Sequence, residues 1–214
     1  MTAAVMGLEI GLMGADEIRD LSVGEVTETS LLVRGRPKVG GAIDARFGSA
    51  SRYQPCGTCL KTNCSGHTGS IELPYPLPHV GYIQKLVQTL NVICVACAAL
   101  LTDKVPAPVG KVYADVKKAK AYKRSLCLCP RCGLPQPSIT IAEPLLSAVW
   151  RADTVALHKA LDEPRLTDAE LAEAIAAPYT NWTASYLLRS VSHADQRRLG
   201  IDPDVTSLEG MLMR

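Results

Sequence analysis

The sequence predicts an irregular α+β fold with several helices and short antiparallel strands. Three observations predict it. Apolar residues recur at helical spacing in separated segments, most clearly from Val80 to Leu90. Strand-like alternation is confined to short runs that prolines cut off. All eight cysteines fall within residues 56–132, paired at close spacing in a loop-rich stretch.

Each element follows from local chemistry. Gly14-Ala15-Asp16-Glu17-Ile18-Arg19 reads as a short helix start: Gly14 is an acceptable cap, and Asp16 and Glu17 suit the positive helix N-terminus. Residues 34–52, rich in Gly, Arg and Lys, read as irregular loop. Ser70-Ile71-Glu72-Leu73 alternates and reads as a strand, kept short or at an edge by Pro74, Pro76 and Pro78. From His79 the pattern becomes helical, with Val80, Ile83, Leu86, Val87 and Leu90 on one face running into Cys94. Residues 111–124 read as a basic helix, and Pro130, Pro135 and Pro137 mark turns. Thr167-Asp168-Ala169-Glu170 is a capping box opening a helix to about Ala176, and Asn181 to Val191 reads as another.

Composition narrows the function classes. Hydrophobic residues make up 47%, so a core can form, but with one Phe and two Trp it must be mainly aliphatic. The net charge of +2 alone implies no nucleic-acid partner. Its distribution says more: residues 1–150 carry 16 Lys/Arg against 11 Asp/Glu, a balance of +5, and residues 151–214 carry 7 against 10, a balance of −3. A boundary is expected near residue 150, dividing a cysteine-bearing portion, 1–150, from a helical portion, 151–214. The apolar start has no basic leader, so no secretion signal is expected. The run Val92 to Leu101 is too short to span a bilayer. In a reducing compartment the cysteines are not disulfides by default.

Cys56-x2-Cys59-x4-Cys64-x2-His67 is the first constellation. Two knuckles within a dozen residues point four soft or borderline donors at one centre, which is what tetrahedral zinc needs. Cys94-x2-Cys97 with Cys129-x2-Cys132 is the second, two halves separated by a long insert. Cys127 is left over, either a free thiol, a surface residue or a substitute for Cys129. Both sets offer four protein ligands and no open position, so two structural zinc ions are expected rather than a catalytic one. Each would add folding energy on the order of 10 kcal/mol. His79, His158 and His193 have no ligand-like neighbours and read as helix-end or surface residues. Asn181-Trp182-Thr183 matches a glycosylation sequon by chance.

Lys111, Lys117, Lys118, Lys120, Lys123 and Arg124 lie between the halves of the second constellation, opposed only by Asp115. One reading is a phosphate-contacting face through Lys117, Lys118, Lys120, Lys123 and Arg124; such contacts would be blind to sequence. The other is a solvated helix.

The flanking residues carry a resemblance. Ile10-Gly11-Leu12-Met13-Gly14-Ala15-Asp16-Glu17-Ile18-Arg19 and Gly40-Gly41-x2-Asp44-x-Arg46-x-Gly48 are two pieces of it. Cys64-Ser65-Gly66-His67-x-Gly69-x-Ile71-Glu72-Leu73 and Pro78-His79-Val80-Gly81-Tyr82-Ile83 extend it. Cys94-Val95-Ala96-Cys97, Cys132-Gly133-x2-Gln136-Pro137 and Val191-Ser192-x2-Asp195-x3-Leu199-Gly200 complete it. In this order they resemble the N-terminal region of the largest subunit of multisubunit DNA-directed RNA polymerases of the eukaryotic, archaeal and large-DNA-virus type.

The resemblance implies a zinc-stabilised clamp core and clamp head that close over the DNA cleft. It implies as partners the remainder of the largest subunit, the second-largest and smaller subunits, DNA and the RNA–DNA hybrid, with no membrane. Nucleotidyl transfer, and the Mg it needs, would lie outside this chain, because the family's Asn-Ala-Asp-Phe-Asp-Gly-Asp motif is absent here; the chain alone is expected to be inactive. It is expected to be a fragment or a split-gene product, in the nucleus or, if viral, in a cytoplasmic viral factory or virion. The alternative is a stand-alone zinc-binding module that binds nucleic acid or regulates a polymerase.

Overall fold

The structure, a computed structural model, describes residues 7, 10–49, 51–102, 107–121, 128–142, 145–150 and 166–213, without the side chains of 118–121. It is α+β, as expected. Its described residues divide into two units, one of residues 13–74 and one of residues up to 12 together with 75–213. The expected boundary near residue 150 adjoins residues 151–165, which lie outside the described residues.

In residues 13–74, helix α1 spans Ala15–Leu21. The Gly14 N–H donates to Glu17 Oε2 at 2.6 Å, closing one of the donors a helix start leaves open. Arg19 pairs with Asp16 at 2.7 Å and with Glu72 at 3.0 Å. Residues 34–52, expected as loop, contribute to an antiparallel hairpin instead. Strand β1, Leu32–Val33, pairs with β2, Arg36–Pro37. Arg34 and Gly35 turn it at φ 51° and 75°, the doubly left-handed turn whose twist matches paired strands. The strand expected at Ser70–Leu73 reduces to one parallel bridge, Glu25↔Ser70; residues 71–73 carry no pairing, and Ile71 is exposed.

The other unit is built around helices. Strand β3, Leu77–Pro78, leads to helix α2, Ile83–Val92. The helix starts later than its apolar spacing suggested, because Tyr82 N bonds back to His79 O at 2.8 Å in a separate turn, leaving Val80 exposed. Helix α3, Val109–Ala121, buries Val109, Val112 and Val116 at three- and four-residue intervals. Strands β4, Ser138–Ala142, and β5, Leu145–Val149, form an antiparallel hairpin in which Ile141 faces Leu146. Asn91 of α2 ties β4 in place: its Oδ1 accepts from Ile139 N at 3.0 Å and its Nδ2 donates to Ile139 O at 2.8 Å.

Helix α4, Asp168–Ala176, begins at the expected capping box, with Thr167 N donating to Glu170 Oε2 at 2.8 Å. Helix α5 spans Asn181–Ser190. Helix α6, His193–Arg198, was not expected; Ser192 caps it, and Gly200 at φ 70° ends it. Ile201 N bonds Gln196 O and Gly200 N bonds Arg197 O, each at 3.0 Å, which satisfies carbonyls the helix end leaves over. A short 3-10 turn, Glu209–Met211, leads to β6, Leu212–Met213, which pairs with β3 across more than a hundred residues of chain. Leu86, Leu90, Val112, Ile139, Leu187, Leu188, Leu199 and Met211 are among the side chains of one continuous apolar core.

Candidate metal centres

Three of the four two-residue knuckles fold by one hydrogen-bonding pattern. In the knuckle opened by Cys56, the Cys56 N–H donates to Lys61 O at 3.0 Å and Leu60 N donates to Cys56 O at 2.9 Å. Thr58 N then points at Cys56 Sγ, 3.4 Å away. Cys94 repeats this with Ala99 O at 2.8 Å, Ala98 N at 3.1 Å and Ala96 N on its sulfur at 3.4 Å. Cys129 repeats it with Leu134 O and Gly133 N, both at 2.9 Å, and Arg131 N on its sulfur at 3.4 Å.

The turn requires a left-handed residue four positions after the first cysteine. Gly133 takes that conformation readily, whereas Leu60 and Ala98 hold it at φ 59° and 55° against their Cβ atoms. The fourth knuckle is looser: Gly66, at φ 101°, donates to Cys64 Sγ at 3.3 Å. Backbone N–H groups aimed at sulfur favour the thiolate, the form that binds metal.

These turns bring together both sets named from spacing. The donor atoms of Cys56, Cys59, Cys64 and His67 lie within 4.8 Å of one another, and so do those of Cys94, Cys97, Cys129 and Cys132. Cys94 and Cys132 sulfurs are 3.6 Å apart, Cys97 and Cys129 sulfurs 3.7 Å, and Cys64 Sγ is 3.3 Å from His67 Nε2. Sulfur pairs in a disulfide would be about 2.05 Å apart. Four sulfurs at zinc-bonding distance stand about 3.8 Å from each other. The donor types and spacings therefore fit a zinc ion, and each group could hold one. Cys127 lies outside the described residues.

Without a cation the thiols cannot all ionise. The Cys94 S–H holds the Cys129 thiol down to about 4, and that same bond, with burial, pushes Cys94 up. Burial raises Cys132 to about 11. In the first group the Lys61 N–H, then His67, bring Cys59 down to about 6. Each group thus favours an early thiolate, and a divalent cation removes the charge conflict that keeps the others protonated.

Supporting residues surround both groups. Gln136, buried, donates from Nε2 to Cys94 Sγ at 3.3 Å and to Leu134 O at 2.8 Å, while its Oε1 accepts from Val95 N at 3.2 Å. In the first group the 44–47 loop is laced to donor-bearing turns. Gly57 N donates to Ala45 O, Thr58 Oγ1 to Arg46 O and His67 N to Phe47 O, all at 2.7 Å. Asp44 fixes that loop. Its carboxylate accepts from Gly40 N at 2.6 Å, Arg46 N at 2.9 Å and Arg46 Nη2 at 2.7 Å. The Arg46 guanidinium holds it well below the usual carboxylate range. Spacing alone identifies the donors; only the resemblance pointed at Asp44, Arg46 and Gln136, with no role attached.

Lys117 is exposed, its Nζ 6.0 Å from the Tyr113 ring centroid. The backbones of Lys118 and Lys120 belong to α3, and Lys123 and Arg124 lie outside the described residues. His79 Nδ1 accepts from Gly81 N before α2, and His193 is exposed at the start of α6; His158 lies outside the described residues. Asn181 of the sequon is 4% exposed: it accepts from Leu146 N at 2.9 Å and donates to Pro76 O at 2.8 Å. Among the described residues no helix is long and apolar enough to cross a membrane.

Comparison with known proteins adds two findings. The family described as RNA polymerase Rpb1, domain 1, matches residues 2–214. The chain is similar to the DNA-directed RNA polymerase III subunit RPC1 of Debaryomyces hansenii, 40% identical over 105 residues. That stretch is 47% of this chain and 7% of the yeast subunit, so the chain spans a small part of the relative's length.

Proposed function

Since the chain belongs to the RNA polymerase Rpb1, domain 1, family, we propose that it serves as the N-terminal clamp segment of the largest subunit of a nuclear DNA-directed RNA polymerase, stiffened by two structural zinc ions. The observation that carries the proposal is a family match running the length of the chain and enclosing two closed four-donor groups. Cys56, Cys59, Cys64 and His67 would hold one ion, and Cys94, Cys97, Cys129 and Cys132 the other. Bound zinc supplies four-bond cross-links and neutralises thiolate charge. The knuckle backbones orient the sulfurs, Gln136 steadies Cys94, and the Asp44 loop steadies the Cys56 and His67 turns.

In this reading the segment does no chemistry. Nucleotidyl transfer belongs to other parts of the subunit, with their own Mg. The segment works as a stiff body that closes towards DNA and the RNA–DNA hybrid. Residues 1–150 would form the zinc-bearing portion and 151–214 a helical one. Lys117, Lys118, Lys120, Lys123 and Arg124 would contribute backbone-directed contacts to nucleic acid. The test is to assemble the polymerase with Cys56→Ser plus Cys59→Ser in its largest subunit. The proposal expects DNA-bound complexes that dissociate at lower salt than wild type; unchanged salt resistance would overturn the holding role.

A further inference from the structure

The two compact units are held by different means, and we propose that residues 13–74 form a metal-conditional folding unit. Stripping the Cys56, Cys59, Cys64 and His67 group would unfold them while residues 75–213 stay folded. The inference rests on the zinc reading above and goes beyond it by assigning the metal's effect to one part of the chain.

Among the described residues of 13–74, the buried positions are Gly14, Gly40, Gly41, Asp44 and Cys56. Cys56 is therefore the sole buried apolar side chain there, and it is itself a donor. Leu21, Leu32, Val33, Val39 and Ile71, which a core would take in, are exposed by between 49% and 75%. Regular structure in this unit amounts to one seven-residue helix and one ribbon of two-residue strands. Neither is long enough to persist on its own.

Ordering a backbone has to be offset by burial or by cross-links. With no aliphatic core, what remains is scattered backbone bonds such as Val26 N to Ser70 O, solvent-screened ion pairs such as Arg19–Glu72 that add little, the Asp44–Arg46 pair and the four donors. Beyond the local bonds of Asp44 with Gly40 and Gly41, the 44–47 loop bonds to Gly57, Thr58 and His67, all within the donor-bearing turns. The pair therefore cannot substitute for those turns once they open. Folding of 13–74 is linked to metal binding, as in domains that lack a core of their own.

Residues 75–213 contrast on each point. They hold the whole continuous apolar core, and Cys94 and Cys129 are members of it. Gln136 adds a buried donor to Cys94. In the first group three donors, Cys59, Cys64 and His67, are half-buried against two, Cys97 and Cys132, in the second, and neighbouring Leu60 is 77% exposed. A chelator reaches the first group before the second, so metal supply acts on one unit selectively.

The experiment uses the full chain loaded with zinc. Chelator is raised in steps. At each step the ions per chain are counted by elemental analysis, and amide hydrogen exchange is read by mass spectrometry on peptides from 13–74 and 75–213. The expected result is that the first ion lost takes the protection of 13–74 with it, down to the rate of an unstructured chain, while 75–213 keeps its protection. Cys56→Ser plus Cys64→Ser gives the same pattern with zinc present, and Cys94→Ser plus Cys132→Ser leaves 13–74 protected. Retained protection in 13–74 after its ion has left, or simultaneous loss across both units, overturns the inference. A chain that carries no ion when offered zinc, yet protects 13–74, overturns the zinc reading itself.

Discussion

Gln136→Leu tests how the second donor group is supported. The substitution keeps side-chain bulk in a position 2% exposed but removes three hydrogen bonds. The bond to Leu134 O is the least missed, because that carbonyl also accepts from Cys129 N at 2.9 Å. Loss of the Oε1 acceptor leaves Val95 N unpaired, at a cost of about 1–3 kcal/mol in stability. Loss of the Nε2 donor to Cys94 Sγ removes a bond to a sulfur that is charged when metal is bound, worth about 1.5–3 kcal/mol. That second loss falls on the metal-bound state, so affinity at the Cys94, Cys97, Cys129 and Cys132 group should fall about 10–100-fold. The assay is zinc competition against a chromophoric chelator on the full chain, resolving two binding steps. The expected trace has one step weakened and the Cys56 group's step in place. A folded Gln136→Leu chain with both steps unchanged would mean that Gln136 does not support the Cys94 group.

Asp44 gives a pH prediction. Its carboxyl titrates below the usual range when folded, so its stabilisation is fully present above about pH 4, the unfolded value, and is lost as pH falls towards the folded one. Asp44→Asn should cost about 2–3 kcal/mol at pH 7, the lower range because the Arg46 side chain is 41% exposed, and should flatten the wild-type loss of stability below pH 4 in denaturant titrations. Thr167→Ala should cost about 1 kcal/mol, read as faster amide exchange confined to α4. Asn181→Ala strands Leu146 N and Pro76 O and should cost about 2–4 kcal/mol by thermal unfolding.

Legibility in the sequence followed the range of the interaction. The α4 start was readable because Thr167 and Glu170 satisfy each other within one turn. Both donor groups were readable because knuckle spacing confines each sulfur pair, so only the meeting of the halves depended on the fold. The left-handed turns at Leu60 and Ala98 were not, since neither residue favours that conformation and only the closing bonds of the knuckle impose it. The same holds for Arg34 in the β1–β2 turn. Pairing of β3 with β6 could not be read locally, because Pro78 and Leu212 meet across most of the chain. Gln136, Asp44 and Asn181 look like ordinary polar residues until burial reveals which backbone groups they satisfy.

Two closed sulfur-rich groups are proposed to hold one zinc ion each. Zinc K-edge X-ray absorption on the purified chain, with elemental counting, reads both their occupancy and their donors. The expected result is two zinc ions per chain, with seven sulfurs and one nitrogen shared between their first shells. A zinc-free chain, or knuckle cysteines recovered as disulfide pairs, would contradict it.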